Sequence, residues 1–318
     1  MDHPFLTEKF APCPQDLLSA ARNAGPVRML VVQAAAPLPM QSAYEAHLAG
    51  IANPILIGDK AGIMAEADKL GWDISDTEIV EPEGNGEQVC AATAVTILQE
   101  RGVVASENPD GIGAILKGQL HTDIFMGALL QRDAGVRIGN RLVHVFAIYP
   151  ETGAPLLVSD AAVNVAPDVK SQQQSLIEMQ RLIEALGHGP ARIAILSATE
   201  TPIESVPSSI SAAELADWAK QNLKSAEISG PLSLDLALSQ SSVAIKGLKN
   251  DPVAGQANAL HVPDLVSGNL LYKSLVYFGG GCAAGLVMGG ALPILLTSRA
   301  DPPAARLASV ALAAILQN

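Results

Sequence analysis

Short apolar runs alternate with amphipathic stretches through most of the 318 residues. The runs at 29–32, 54–57, 114–116, 193–196, 259–262 and 293–297 predict strands, because each is too short for a helix. Helical patterns fill the gaps. Leu176, Met179, Ile183 and Leu186 recur at helical spacing with Gly187 as a stop, and Ser211 with Glu214 predicts a capping box for a helix through Trp218 to Leu223. Such alternation predicts an α/β fold of mostly parallel sheet with crossover helices. The segments 142–149 and 156–159 break the pattern: they flank Pro150-Glu151-Thr152-Gly153 and read as an antiparallel hairpin, a natural junction between domains. The expected division is a first α/β domain over 1–148 completed by 293–318, and a second over 149–292.

The stretch 274–297 is uncharged and long enough to span a bilayer, but seven glycines or prolines interrupt it, among them Gly279-Gly280-Gly281 and Pro293. It reads instead as a buried glycine-rich helical piece, holding Cys282, followed by a short strand. The first 23 residues carry Asp2, Glu8, Lys9 and Asp16 and have no apolar core of a signal peptide.

Composition sharpens this picture. Hydrophobic residues make up 49% and charged residues 16%, which excludes a disordered chain and suits strands covered on both faces. The net charge of −12 argues against nucleic-acid polymers, whose binding needs an extended basic surface, and against anionic membranes. Small anions need only a local clamp. The three cysteines, Cys13, Cys90 and Cys282, are far apart in sequence and show no zinc-ligand or disulfide spacing, as expected of a cytoplasmic protein.

Three strand-to-helix junctions are candidate anion sites, since helix N-termini beyond the carboxyl ends of parallel strands offer free N–H groups and a positive dipole end. The first runs from Leu296 through Thr297, Ser298, Arg299 and Ala300 to Asp301 and Pro302; Arg299 is a candidate clamp, Ser298 a donor and Asp301 the helix cap. The alternative is a surface arginine beside an ordinary cap. The second contains Lys117, Gly118, His121 and Thr122, with Thr122 or Asp123 as cap, Lys117 and Thr122 facing an anion, and His121 either moving a proton or serving structure. In the third, Gly268-Asn269 reads as a turn opening the glycine-rich helix, with Asn269 either presenting its amide to a substrate oxygen or completing the turn. No Walker-type loop, nucleophile elbow, H-E-x-x-H or paired-aspartate magnesium motif occurs.

These junctions, with Asp160-Ala161-Ala162-Val163-Asn164, Pro167, Leu196-Ser197-Ala198, Glu200, Gly230-Pro231-Leu232, Asp235, Lys246-Gly247, Val253-Ala254-Gly255 and Tyr272-Lys273, occur in an order and spacing that resembles the phosphate acetyltransferase/phosphate butyryltransferase family over nearly the whole chain. The resemblance implies two α/β domains of the isocitrate/isopropylmalate-dehydrogenase-like superfold with an active-site cleft between them. It implies reversible acyl transfer between CoA and orthophosphate by direct attack, with acetyl-CoA and CoA as substrates and no prosthetic group or metal. It further implies a homodimer or larger oligomer. Ser298, Arg299, Thr122 and Asp301 are then the catalytic candidates, and Lys117, Gly118, His121, Asn269, Tyr272 and Lys273 the substrate-binding ones. The acetyltransferase pattern's aspartate six residues after the arginine is replaced by Ala305. That leaves Asp301 and His121 as alternatives for the base, and a butyryl preference as the rival specificity. Two further alternatives are a metal-dependent decarboxylating dehydrogenase, for which the clustered aspartates are missing, and an inactive paralogue that binds CoA or acyl phosphate.

Overall fold

The structure, a computed structural model, describes residues 3–296 and 300–317. In chain order the elements are α1 (Gln15–Ala24), β1 (Val27–Val32), α2 (Pro37–Leu48), β2 (Ala52–Ile57), α3 (Lys60–Leu70), β3 (Glu78–Val80), α4 (Glu87–Arg101), β4 (Ala114–Lys117) and α5 (Thr122–Leu129). Then come β5 (Val143–Tyr149), β6 (Leu156–Ser159), α6 (Val169–Leu186), β7 (Ala191–Leu196), α7 (Pro207–Asn222), β8 (Ala226–Leu232), α8 (Leu234–Leu238) and α9 (Gln240–Lys246). The chain closes with β9 (Ala259–His261), α10 (Leu265–Tyr277), β10 (Cys282–Met288), β11 (Ile294–Leu295) and α11 (Pro303–Leu316). Two compact units result: Pro12–Asn140 with Ala284–Asn318, and Arg141–Ala283 with Met1–Ala11. The first bound falls before the β5–β6 hairpin, at 140/141 rather than 148/149, because both strands of the hairpin pair with each other, and the second falls within β10, at 283/284 rather than 292/293. The N-terminal arm goes with the middle segment: Thr7 N–H donates to the Tyr277 carbonyl at 2.8 Å and Ala11 N–H to that of Gly280 at 2.6 Å.

The unit holding both α1 and α11 is a doubly wound sheet in the order β3-β2-β1-β4-β11-β10. All neighbours run parallel except β10, which turns antiparallel to β11. Strand order reverses direction at β1, with β2 on one side and β4 on the other, so a topological switch point opens between the carboxyl ends of β1 and β4. The strands are apolar nearly throughout because both faces are covered. α11 is buried along almost its full length, and its alanines, Ala308, Ala311, Ala313 and Ala314, let neighbouring helices approach closely. The other unit orders its strands β5-β6-β9-β7-β8, parallel apart from the β5–β6 hairpin.

Most runs read as strands are strands. The segment 274–297 differs from expectation: α10 ends at Tyr277, the triple glycine forms the exit turn, and Cys282 lies in strand β10 rather than in a helix. Gly280, at φ +69, supplies the left-handed residue that stops α10. The helix expected to start at Ser211 starts at Pro207, because a proline at the first helical position needs no hydrogen-bond partner for its nitrogen; Ser211 lies one turn inside. Strands β3, β8 and β10 carry no clean apolar run or are broken by glycine and proline, and the sequence pattern does not predict them. Among the described residues no helix is long and apolar enough to cross a membrane.

Candidate active site

The switch point of the first unit carries the Lys117–Thr122 junction. Lys117 is the last residue of β4 and pairs with Val32 of β1. Gly118 then passes so close to β1 that a Cβ would stand 2.3 Å from the Val32 carbonyl and 2.5 Å from that of Gln33. Its N–H donates to the Val32 carbonyl, and the Gln119 N–H to that of Gln33, so two extra rungs extend the ladder past the strand. The lysine Nζ donates to the Leu120 carbonyl at 3.0 Å and pins the loop. The α5 cap is His121, not Thr122 or Asp123; Thr122 is the exposed first residue of the helix. An extended His121 backbone takes the cap position because Glu87, at the start of α4, reaches across and accepts the His121 N–H at 2.9 Å. The same carboxylate stands 2.8 and 3.0 Å from His121 Nδ1. Donation from the backbone N–H, then from the ring, holds the Glu87 carboxyl below its usual range. Glu87 was not a sequence candidate; it lies 34 positions away, and only its place in a first helical turn after Gly86 marked it.

β11 runs parallel to β4, pairing Ile294 with Ile115 and Leu295 with Leu116, so the chain leaves it at the same carboxyl edge. Ser298 and Arg299 lie outside the described residues. Asp301 does not cap α11. Pro302 occupies that position, and the Asp301 carbonyl accepts a 2.6 Å bond from Nη1 of Arg306. Arg306 is buried and also donates from Nε to Ser42 Oγ of α2 at 3.0 Å. An isolated cation in an otherwise apolar helix was the signal for it. Ala305 is buried against the core. At the end of β1, Gln33 adopts a left-handed φ of +58.

In the other unit, the Asp160–Asn164 motif and α10 meet. Asp160 is buried; its Oδ1 accepts the N–H groups of Ala162 and Val163, each at 2.9 Å, and its Oδ2 the Asn164 amide at 2.6 Å. Asn164 also reaches the Leu142 carbonyl at 2.8 Å. The carboxylate thus folds the loop around itself. Gly268 and Asn269 are not a turn: Asp264 caps α10 by accepting from Ser267 N–H, and both residues are helical. A Cβ on Gly268 would meet the Asp160 carbonyl at 2.6 Å, and Asn269 Nδ2 donates to the Ala161 carbonyl at 3.3 Å. Tyr272 stacks on Phe146, with centroids 4.1 Å apart, and Lys273 is exposed beside it. Further along, Lys246 Nζ lies 3.1 Å from Glu200 and 3.3 Å from Asp235, joining three more of the motifs read from sequence. The junction residues Lys117, Gly118, His121 and Thr122 therefore stand together in one unit, and Asn269, Tyr272 and Lys273 together in the other.

Among the described residues no group of three or more His, Cys, Asp or Glu is placed to hold a metal ion. All three cysteines are buried, and burial pushes the Cys282 thiol up to about 12.

The family model described as phosphate acetyl/butaryl transferase matches residues 114–314. The chain belongs to this family. Similar proteins include a phosphate acetyltransferase of Rhizobium meliloti, 38% identical over 94% of this chain and 92% of that one. A phosphate butyryltransferase of Clostridium acetobutylicum is 32% identical over 87% of this chain and 89% of its own. Among solved structures, a branched-chain phosphotransacylase from Enterococcus faecalis V583 superposes with a TM-score of 0.75 at 26% identity, covering 92% of this chain and 99% of that one. The chain is thus an acyltransferase, and its family match begins at β4, the strand that launches the Lys117–Thr122 loop.

Proposed function

We propose that this acyltransferase is a phosphate acetyltransferase that moves an acetyl group reversibly between CoA and orthophosphate. The observation that carries the reading is the 38% identity to a phosphate acetyltransferase over nearly the full length of both chains, against 32% for the butyryltransferase. In the synthetic direction the CoA sulfur attacks the acetyl phosphate carbonyl, a C–S bond forms, the bond from the carbonyl carbon to the bridging oxygen breaks, and phosphate leaves with that oxygen and the electron pair. No protein nucleophile enters, which suits a chain whose cysteines are buried.

The switch-point junction supports the assignment of roles. Arg299 and Ser298 hold the phosphate, and Thr122, at the N-terminus of α5, offers its hydroxyl and backbone N–H to the carbonyl oxygen as charge develops there. Lys117 adds positive potential, and Gly118 brings the loop against β1. For the thiol proton, the geometry favours His121 over Asp301. Glu87 takes the Nδ1 side of the ring and leaves Nε2 as the base. Asn269 shapes the 161–164 loop, and Tyr272 and Lys273 present a face for the substrate. We place the enzyme in the cytoplasm as a homodimer or larger oligomer; the exposed Val266, Leu270 and Phe278 on and after α10 support self-association.

A second reading, preference for butyryl or branched acyl groups, is favoured by Ala305, which replaces the acetyltransferase aspartate, and by the branched-chain phosphotransacylase structure. Thiol release from acetyl-, propionyl-, butyryl- and isobutyryl-CoA with phosphate tests both. The highest kcat/KM for acetyl-CoA supports the proposal, the reverse order supports the second reading, and no release from any thioester overturns acyl transfer.

A further inference from the structure

β1 and β4 carry the switch-point junction at their carboxyl ends, and a cavity of about 540 Å³ opens at their amino ends. It lies wholly within the unit that holds α1 and α11. Its walls bring together Arg28 of β1, Asn53 of β2, Ser106 and Asp110 of the loop before β4, and Gln317 just past α11. That volume suits a small metabolite.

The polar groups here keep free capacity. Arg28 engages only Nη1, which donates to the Asp110 carbonyl; among the described residues Nε and Nη2 have no hydrogen-bond partner. The Asp110 carboxylate stands 3.8 Å from Nη2, and both side chains are exposed, so the pair by itself is weak. Glu78, which also feels the Arg28 charge, is held by a two-bond fork from Arg101. The side chains of Asn53 and Ser106 are exposed and have no partner among the described residues. Pro26, Val104 and Pro109 supply apolar wall.

These groups select a ligand class. A guanidinium with two free N–H donors takes a carboxylate. The Asp110 carboxylate beside it repels a phosphate dianion and calls for a donor. With the two poles only 3.8 Å apart, the ligand's carboxylate and its donor must sit on neighbouring carbons, as in an α-amino or α-hydroxy acid. The cavity also stands at the far end of the elements that carry the candidate site. β1 leads from Arg28 to Gln33, and β4 leads to Lys117, roughly 10–20 Å at the rise of a strand. α11 leads back from Gln317 to the Asp301 segment, and Gln317 Nε2 ties its end to the Gly25 carbonyl at 3.3 Å. A ligand clamping this edge therefore bears on three packed elements that reach the site.

We propose that this cavity is an effector site for a small α-amino or α-hydroxy acid, its carboxylate held by Arg28 and its amino or hydroxyl group by Asp110, and that occupancy changes the rate at the switch-point site.

Calorimetric titration of the full-length protein tests this with alanine, serine, leucine, lactate and glycerate as probes. Acetate and propionate, which lack the neighbouring donor, are the counter-probes. At least one probe should bind, about tenfold or more tighter than the counter-probes, and saturating orthophosphate or CoA should not displace it. Arg28→Met keeps the aliphatic stem and should abolish binding. Asp110→Asn, at an exposed position, should weaken the amino acids by about tenfold and the hydroxy acids less. Thermal melts check that both variants are folded. The bound acid should change thiol release by the wild type about fivefold and leave Arg28→Met, whose basal rate is unchanged, unaffected. No binding by any probe, or undiminished binding by folded Arg28→Met, overturns the proposal. Displacement by CoA or phosphate overturns it too, by placing the acid at the substrate site. Binding that leaves the rate unchanged overturns the effector role.

Discussion

Nδ1 of His121 lies 2.8 Å from Oε2 of Glu87, and the same carboxylate oxygen accepts the His121 backbone N–H at 2.9 Å. One acid thereby sets both the cap of α5 and the orientation of the ring. His121→Ala should cut turnover toward acetyl-CoA by on the order of 10²–10⁴, the usual worth of a general base. Glu87→Gln should cost about ten- to hundredfold, because the ring loses the carboxylate that orients it. Steady-state rates in both directions decide it. An unchanged rate in a folded Glu87→Gln protein would assign the proton elsewhere.

Arg299→Ala should lower kcat/KM by on the order of 10²–10³ or more, with the fold intact, because it removes a permanent charge from the transferring phosphate. Arg299→Lys should recover little, since an ammonium cannot reproduce bidentate geometry. Initial rates beside a thermal melt make the measurement.

The 141–283 unit should lose stability in mild acid. Burial pushes His144 and His261 down to a pKa of about 4, with the nearby Asp160 opposing the shift in each case. An unfolded histidine titrates near 6.5, so the unfolded chain binds these protons first as pH falls. The contribution is therefore full above about pH 6.5 and is lost progressively toward pH 4, on the order of 2–3 kcal/mol for each ring. Denaturant melts at pH 7.5, 6 and 5 should show the decline, and His144→Phe should flatten it.

Gly118→Ala should destabilise by about 1–3 kcal/mol, because the new Cβ collides with two backbone carbonyls that are fixed by ladder bonds. Gly127→Ala, on α5, meets nothing within 4 Å and serves as the control. The melting temperatures of the two variants compare them directly.

How much of this the sequence revealed depended on the range of the interactions. The alternation of apolar runs found β1, β2, β4, β7 and β9, since parallel strands covered on both faces must be apolar throughout. It misread 274–297, where glycine in a strand and glycine at a helix exit look alike in composition. The motif residues at Lys117–Thr122 and Asp160–Asn164 were recognisable because each cluster is local. Glu87 was not, because its partner lies 34 positions along the chain and the contact depends on how α4 and the β4–α5 loop pack. Likewise, the cap at His121 is decided by a tertiary partner, Glu87, which overrides the intrinsic preference for Thr122.

Arg306 joins Ser42 on α2 to the Asp301 carbonyl ahead of α11. Within its own unit it is a three-way buried knot between distant parts of the chain. A change at Ser42 therefore removes the acceptor of the Arg306 Nε, and a change at Arg306 removes a donor from both the Ser42 hydroxyl and the Asp301 carbonyl. Substitutions at the two positions should be epistatic: Ser42→Ala and Arg306→Met should each be costly alone and less than additive together. The family signature just before α11 thus has a dependency on α2, more than two hundred and fifty positions earlier, that no reading of the signature by itself contains.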